Sequence, residues 1–147
     1  FDSDVFNLIT CLGVMHHIPN VSHVMKECYR CLEVDGLMLI REPIISMGDW
    51  RVPRKGLTKR ERGIPLNLLD EIIKSAGFSI KHRSLCIFPL IPKFANILGV
   101  TAFNSAAITK VDSFLSRFFL SDIKYHRTKT YDKLAPTSAY YVLAKTS

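Results

Sequence analysis

Phe6-Asn7-Leu8-Ile9-Thr10-Cys11-Leu12-Gly13-Val14-Met15-His16-His17 decides the reading of this chain. A largely apolar run stops at a glycine, and two adjacent histidines follow at once. Apolar residues on both faces of a short run mark a strand covered by helices on each side, as in an α/β sheet. In open sheets of that kind, ligands lie beyond the carboxyl ends of the strands. Function is therefore expected just after Leu12, where Gly13 turns the chain and His16 and His17 arrive. The strand begins close to Phe1 with no initiator methionine before it, so further strands of the same domain are expected upstream.

Outward from that run, Pro19-Asn20-Val21-Ser22 carries helix-start chemistry, with Asn20 or Ser22 as the cap. Val21, Val24, Met25, Cys28 and Leu32 then fall on one helical stripe. Asp35-Gly36 is expected to close this unit, the glycine taking the left-handed turn after the helix. Leu37-Met38-Leu39-Ile40 reads as a second buried strand that runs on to Arg41-Glu42-Pro43. Strand, helix, strand in that order predicts a right-handed crossover and a parallel pair. Residues 44–64 are polar and basic, with glycine and proline, and read as a long loop or lid. Pro65 suits a first helical turn, and Leu68, Leu69, Ile72, Ile73 and Ala76 give the next stripe before Gly77. Phe78–Cys86 reads as a third strand and Ala139–Lys145 as a closing one.

Between those strands lies an insertion with a helix over roughly Ser105 to Leu120. Its apolar face is expected to be Ile108, Val111, Leu115, Phe118 and Phe119, with Lys110, Asp112, Ser116 and Arg117 opposite. The chain thus divides into a core over residues 1–86, an insertion over 87–137 and a closing strand over 138–147.

Composition bounds the rest. The 147 residues are 48% hydrophobic and 22% charged, which is globular rather than disordered. No apolar run approaches the roughly 20 residues that span a bilayer. Leu85–Val100 comes nearest and is broken by Pro89, Pro92 and Lys93. The first residues carry Asp2 and Asp4 rather than the basic start of a signal peptide, so a cytoplasmic location is expected. Cys11, Cys28, Cys31 and Cys86 make no disulfide framework at this length and read as reduced thiols, two of them inside apolar runs. The net charge of +7 is concentrated in Arg51, Arg54, Lys55, Lys59, Arg60 and Arg62, with Glu61 the single acid among them. That segment is either a solvated loop or a site for phosphates or an anionic surface. Nucleic acid is not expected as a partner, because Trp50 is the one aromatic beside it.

Four motifs carry a resemblance. Phe1-Asp2-Ser3-Asp4-Val5-Phe6-Asn7-Leu8-Ile9 is similar to "PFxDxxFDLI", and Gly13-Val14-Met15-His16-His17-Ile18-Pro19 to "xVLHHIPD". Arg30-Cys31-Leu32-Glu33-Val34-Asp35-Gly36-Leu37-Met38-Leu39-Ile40 is similar to "RVLKPGGLLLI", and Ala76-Gly77-Phe78 to the "AGF" before a later strand. In this order and spacing the chain resembles the C-terminal half of a class I S-adenosylmethionine-dependent methyltransferase of the small-molecule type. Asn7 stands for the usual aspartate, and Val34-Asp35-Gly36 for Pro-Gly-Gly. No GxGxG occurs in the chain.

The resemblance implies a Rossmann-like α/β sheet holding the family's fourth to seventh strands, the last antiparallel, with a helical insertion that covers substrate. It implies S-adenosylmethionine as cofactor, lined here by Cys11, Leu12, Gly13 and Val14. It places His16, His17 and Glu42 at the reacting centre. A histidine titrates near neutrality, which suits a general base for a hydroxyl acceptor, though the pair would equally serve as a cap for the following helix. Glu42 would accept a bond from the acceptor, or pair with Arg41 or a lid arginine. Tyr125 and His126 would close over the acceptor or lie on the surface. The basic lid and apolar insertion point to a small-molecule acceptor that is amphipathic or phosphorylated. His16, His17, Cys28 and Cys31 supply zinc-binding atoms, but the cysteines sit near the far end of a helix, and no metal site is assigned. As a fragment lacking the glycine-rich loop, the chain alone is expected to be poorly soluble, inactive and unable to bind the cofactor. The competing reading is a non-enzymatic anion-binding module built on segment 51–62.

Overall fold

The computed structural model describes residues 1–49, 51–59, 61–119 and 123–146. Trp50, Arg60 and Leu120, which figured in the sequence reading, lie outside them. Chain order is β1 (Phe6–Leu12), α1 (Val21–Cys31), β2 (Leu32–Pro43), α2 (Leu66–Ser75), β3 (Ser79–Cys86), α3 (Leu90–Ile97), α4 (Ala106–Ser116) and β4 (Ser138–Ala144). Short 3₁₀ turns at Met15–His17, Ala102–Asn104, Arg117–Phe119 and Tyr131–Leu134 link them.

The four strands form one sheet in the order β1-β2-β4-β3. β1 and β2 run parallel, while β4 runs antiparallel to both β2 and β3. This is the expected α/β sheet with an antiparallel last strand. Inward-facing residues alternate along β2, so Met38, Ile40 and Glu42 are all buried on one face. Ala139, Tyr141 and Leu143 of β4 do the same. Against that face α1 contributes Met25 and α2 contributes Leu69 and Ile73, all fully buried. Each such side chain gains roughly 2 kcal/mol on leaving water. The Tyr141 hydroxyl donates to Asp70 Oδ1 at 2.8 Å, and Arg83 pairs with the same carboxylate, pinning α2 to the sheet.

α1 begins where expected, with the Asn20 side chain accepting the His23 N–H. Three expectations change. β1 is not covered on both faces: Leu8 and Leu12 are 50% and 51% exposed, and only Phe6, Ile9 and Cys11 pack against the core. The strand is an edge of the sheet. β2 starts at Leu32 directly after α1, and Asp35 (φ 63°), not Gly36, takes the left-handed turn. Gly36 is needed for room instead, since a Cβ there would lie 2.8 Å from both the Glu33 carbonyl oxygen and Leu32 Cγ. This excursion lets Leu32 pair with Phe6 and Leu37 with Leu8, five residues of β2 spanning two of β1.

The third change is the face of α4. Asp112 and Ser116 are buried, while Val111, Phe114 and Phe118 are at least half exposed. The Asp112 carboxylate accepts the N–H groups of Ile87 and Phe88 at 2.9 and 2.6 Å, just after β3, where Ile87 adopts φ 62°. Backbone donors at that reversal draw the acid inward and turn Phe114 and Phe118 out, while Phe119 packs against the core as expected. No helix of the described residues is long and apolar enough to cross a membrane.

Two outcomes follow from this packing. Asp112→Ala leaves two N–H groups, one of them buried, without their acceptor, and should lower stability by about 2–3 kcal/mol in urea unfolding, with Asp112→Asn costing less. Burial, helped by the charges of Glu42 and Asp112 respectively, pushes the Cys11 thiol up to about 11 and the Cys86 thiol up to about 12. The folded state therefore keeps protons that the unfolded chain releases above about pH 9, the ordinary thiol value. Stability contributed by these thiols should be complete below pH 9 and fall as pH rises towards 11 and 12. Cys86→Ala should flatten that alkaline slope in urea midpoints.

Candidate active site

The parallel register sets the site. Leu12 pairs with Arg41, so the next residues of each strand, Gly13 and Glu42, emerge side by side at the carboxyl end of the sheet. Gly13 (φ 77°) extends the ladder by donating its N–H to the Arg41 carbonyl at 2.7 Å. The chain then bends through the Met15–His17 turn.

Glu42 holds that turn. Its side chain is fully buried, and Oε1 accepts the N–H groups of Val14 and Met15, each at 2.9 Å. Oε2 accepts the His16 N–H at 3.2 Å and meets His16 Nδ1 at 2.8 Å. A buried carboxylate is tolerable only when its lone pairs are used, and here both oxygens are. Among the described residues no arginine bonds Glu42, and its oxygens are occupied by the turn after β1 and by the His16 ring. Since both Glu42 oxygens already accept backbone N–H groups, Nδ1 is the donor of the pair and Nε2 is the ring nitrogen left for other partners.

Nε2 of His16 faces Glu61 Oε1 at 3.6 Å, and His17 Nδ1 lies 3.8 Å from Glu61 Oε2. The two imidazoles pack with centroids 4.0 Å apart. Glu61 comes from the 44–65 loop and accepts the Thr58 N–H at 3.0 Å; that bond and the nearby histidines hold its carboxyl below the usual range. Sequence reasoning missed Glu61 because it hides as the single acid in a basic run. Cys28 and Cys31 stay on α1 and form no donor cluster with the histidines among the described residues.

A cleft of about 540 Å³ opens beside His16, with Ile64, Leu68 and Ile72 on an apolar side and Arg62 and His126 on a polar one. Leu68, expected in the core, is 44% exposed because it faces this cleft. Tyr125 closes one end: its hydroxyl donates to the Gly63 carbonyl at 2.9 Å, and its own carbonyl accepts the Ser46 N–H at 2.8 Å. Tyr125 and His126 are thus both brought to the cleft. Of the residues expected to line the cofactor, Leu12 and Val14 present half-exposed apolar surface on either side of Gly13, whereas Cys11 packs against the core.

The methyltransferase-domain family matches residues 1–82, which hold β1, α1, β2, α2 and the start of β3. The chain belongs to that family. A stretch of 39 residues is 38% identical to the ubiquinone biosynthesis O-methyltransferase of Glaesserella parasuis, covering 26% of this chain and 16% of that protein. An S-adenosylmethionine-dependent methyltransferase from Mesorhizobium loti superposes with a TM-score of 0.56 at 13% identity, over 98% of this chain and 63% of that one. The Haemonchus contortus phosphoethanolamine N-methyltransferase 2, in complex with phosphomonomethylethanolamine and S-adenosylhomocysteine, gives 0.55 at 14% identity, over 100% of this chain and 35% of that one. The chain therefore spans less than two thirds of these relatives.

The Rossmann-like methyltransferase sheet is the fold of this family member, and S-adenosylmethionine is the cofactor that goes with it. On the side expected to face that group, Leu12 and Val14 leave apolar surface exposed, and Gly13 leaves the backbone between them without a side chain. In this methyltransferase domain Glu42→Ala should be among the most damaging single changes. It strips the acceptor from three N–H groups and should cost roughly 3 kcal/mol or more, read as a lower urea midpoint.

Proposed function

We propose that the chain forms the acceptor-side part of a methyltransferase acting on a small molecule, with His16 as the group that takes the acceptor's proton. The observation carrying this reading is the Glu42–His16 pair: a buried carboxylate holds Nδ1, and Nε2, on the other side of the ring, faces Glu61 while the residue itself lines the cleft. Bound S-adenosylmethionine supplies a methyl group already activated on a sulfonium centre, so the chain has to align a nucleophile and remove a proton. Leu12, Gly13 and Val14 would form one wall of the donor site. The cleft would hold the acceptor, its apolar part against Ile64, Leu68 and Ile72 and an anionic or phosphorylated part towards Arg62 and His126. Residues 87–137 would act as the cover through the Tyr125 link.

Support for further strands in the active protein comes from the outer face of β1, where Leu8 and Leu12 lie half exposed on a sheet edge. We assign methyl transfer to a protein in which that edge is paired. The anion-module reading loses two of the six cations of segment 51–62 to contacts inside the loop. Arg51 is engaged by Asp49, and Arg54 donates to the carbonyls of Met47 and Thr58, so both cations are used within the loop itself.

His16→Asn in the intact enzyme should lower kcat by about 10²–10⁴ while leaving the affinity for S-adenosylmethionine nearly unchanged. Turnover with saturating donor, together with donor calorimetry, separates the two. Equal loss of both, or loss of neither, overturns the role given to His16.

A further inference from the structure

The His16–His17–Glu61 cluster lies next to the acceptor cleft and has the composition of a metal site. His16 Nε2, His17 Nδ1 and a Glu61 oxygen all lie within 4.8 Å of one another. The two imidazole-to-carboxylate separations are 3.6 and 3.8 Å. A tetrahedral zinc ion with bonds near 2.0 Å sets neighbouring donors about 3.3 Å apart, so each imidazole–carboxylate pair has to close by a few tenths of an ångström and the two imidazole nitrogens have to come together from within 4.8 Å. Two imidazoles and one carboxylate are a ligand set that suits zinc and similar divalent transition ions, and it leaves a coordination position open.

The surroundings make this more than a chance meeting of polar groups. Metal-bound histidines are oriented by a carboxylate on their other nitrogen. Glu42 stands in that relation to His16 at 2.8 Å, and is itself fixed by three backbone N–H groups. The side chains of His16 and Glu61 are only 8% and 12% exposed, while His17 at 43% leaves a path from solvent. The Thr58 N–H holds the Glu61 carboxylate in place.

We infer that His16 Nε2, His17 Nδ1 and Glu61 form a binding site for a divalent transition-metal ion of the zinc class. Uptake of the ion asks only for these three donors, so the site stands independently of the methyl-transfer reading. It bears on that reading at one atom. The Nε2 lone pair holds either the ion or the acceptor's proton, so the loaded site and the general-base state exclude each other. Metal at this position switches the base off.

Zinc chloride titrated into the full chain, against a chromophoric chelator, tests the site without any assay of methyl transfer. One zinc per chain is expected, bound far more tightly than magnesium. Glu61→Gln and His17→Ala should each weaken zinc by about tenfold or more. His126→Ala, on the cleft wall outside the cluster, and Cys28→Ser should bind as the parent does. Zinc X-ray absorption of the parent chain should show nitrogen and oxygen neighbours with imidazole scattering, a readout that needs no variant to fold. Sulfur in the first shell, loss of binding in Cys28→Ser, equal affinity for magnesium, or zinc binding unmoved by both cluster variants overturns the site. If zinc binds as stated while His16→Asn leaves turnover intact, the metal site stands and the base role falls.

Discussion

The whole carboxyl edge of the sheet depends on one buried acid. Glu42 lies inside because the alternation of β2 puts it on the same face as Met38 and Ile40. An ionised group there would cost several kcal/mol if left alone. The penalty is offset because the first parallel pair ends in register, so the turn after β1 brings three consecutive N–H groups to the two oxygens. The interaction works in both directions. The turn's three N–H groups find their acceptor in Glu42, and the acid finds its donors in that turn and in the His16 ring. His16 inherits its orientation from this exchange, and the start of α1 follows from the turn.

The insertion repeats the same solution on the far side of the sheet. Asp112 reaches from α4 to the backbone beyond β3 and accepts two N–H groups where Ile87 turns left-handed. In each case a carboxylate from one element stabilises a chain reversal at the end of another, across 24 to 28 positions of sequence. Both acids raise the affinity of a nearby thiol for its proton, Cys11 in one case and Cys86 in the other.

What was legible in the sequence was what periodicity encodes. The stripes of α1 and α2 and the apolar runs of β2 and β4 come from burying apolar area, a local property of the pattern. The parallel first pair followed from strand-helix-strand order, and the antiparallel last strand from the family resemblance. The face of α4 was not legible, because a helical wheel places Asp112 with the solvent and knows nothing of backbone donors at residues 87 and 88. Glu42 was placed in the right crevice by topology, but its role was set by the hydrogen-bond demand of its neighbours. Glu61 was visible only as the single acid of a basic run, since charge counting gives no sign of the imidazoles it faces. The position of His16 and His17 was readable because strand-end geometry fixes it before any long-range contact is known.

Gly63 has a consequence for how the cleft exchanges its contents. A side chain there would collide with the Ile45 carbonyl oxygen, 2.1 Å from its Cβ, and the Ile64 N–H bonds the Pro43 carbonyl just behind it at 2.8 Å. The 44–65 loop is thus pinched shut at its root, backbone against backbone, like the neck of a drawstring bag. Any swing of this loop is confined to the portion beyond the neck, since the Tyr125 bonds to Ser46 and Gly63 also hold its base. Glu61 rides on that outer portion while His16 stays with the sheet, so parting of the mouth and separation of these two residues are a single event.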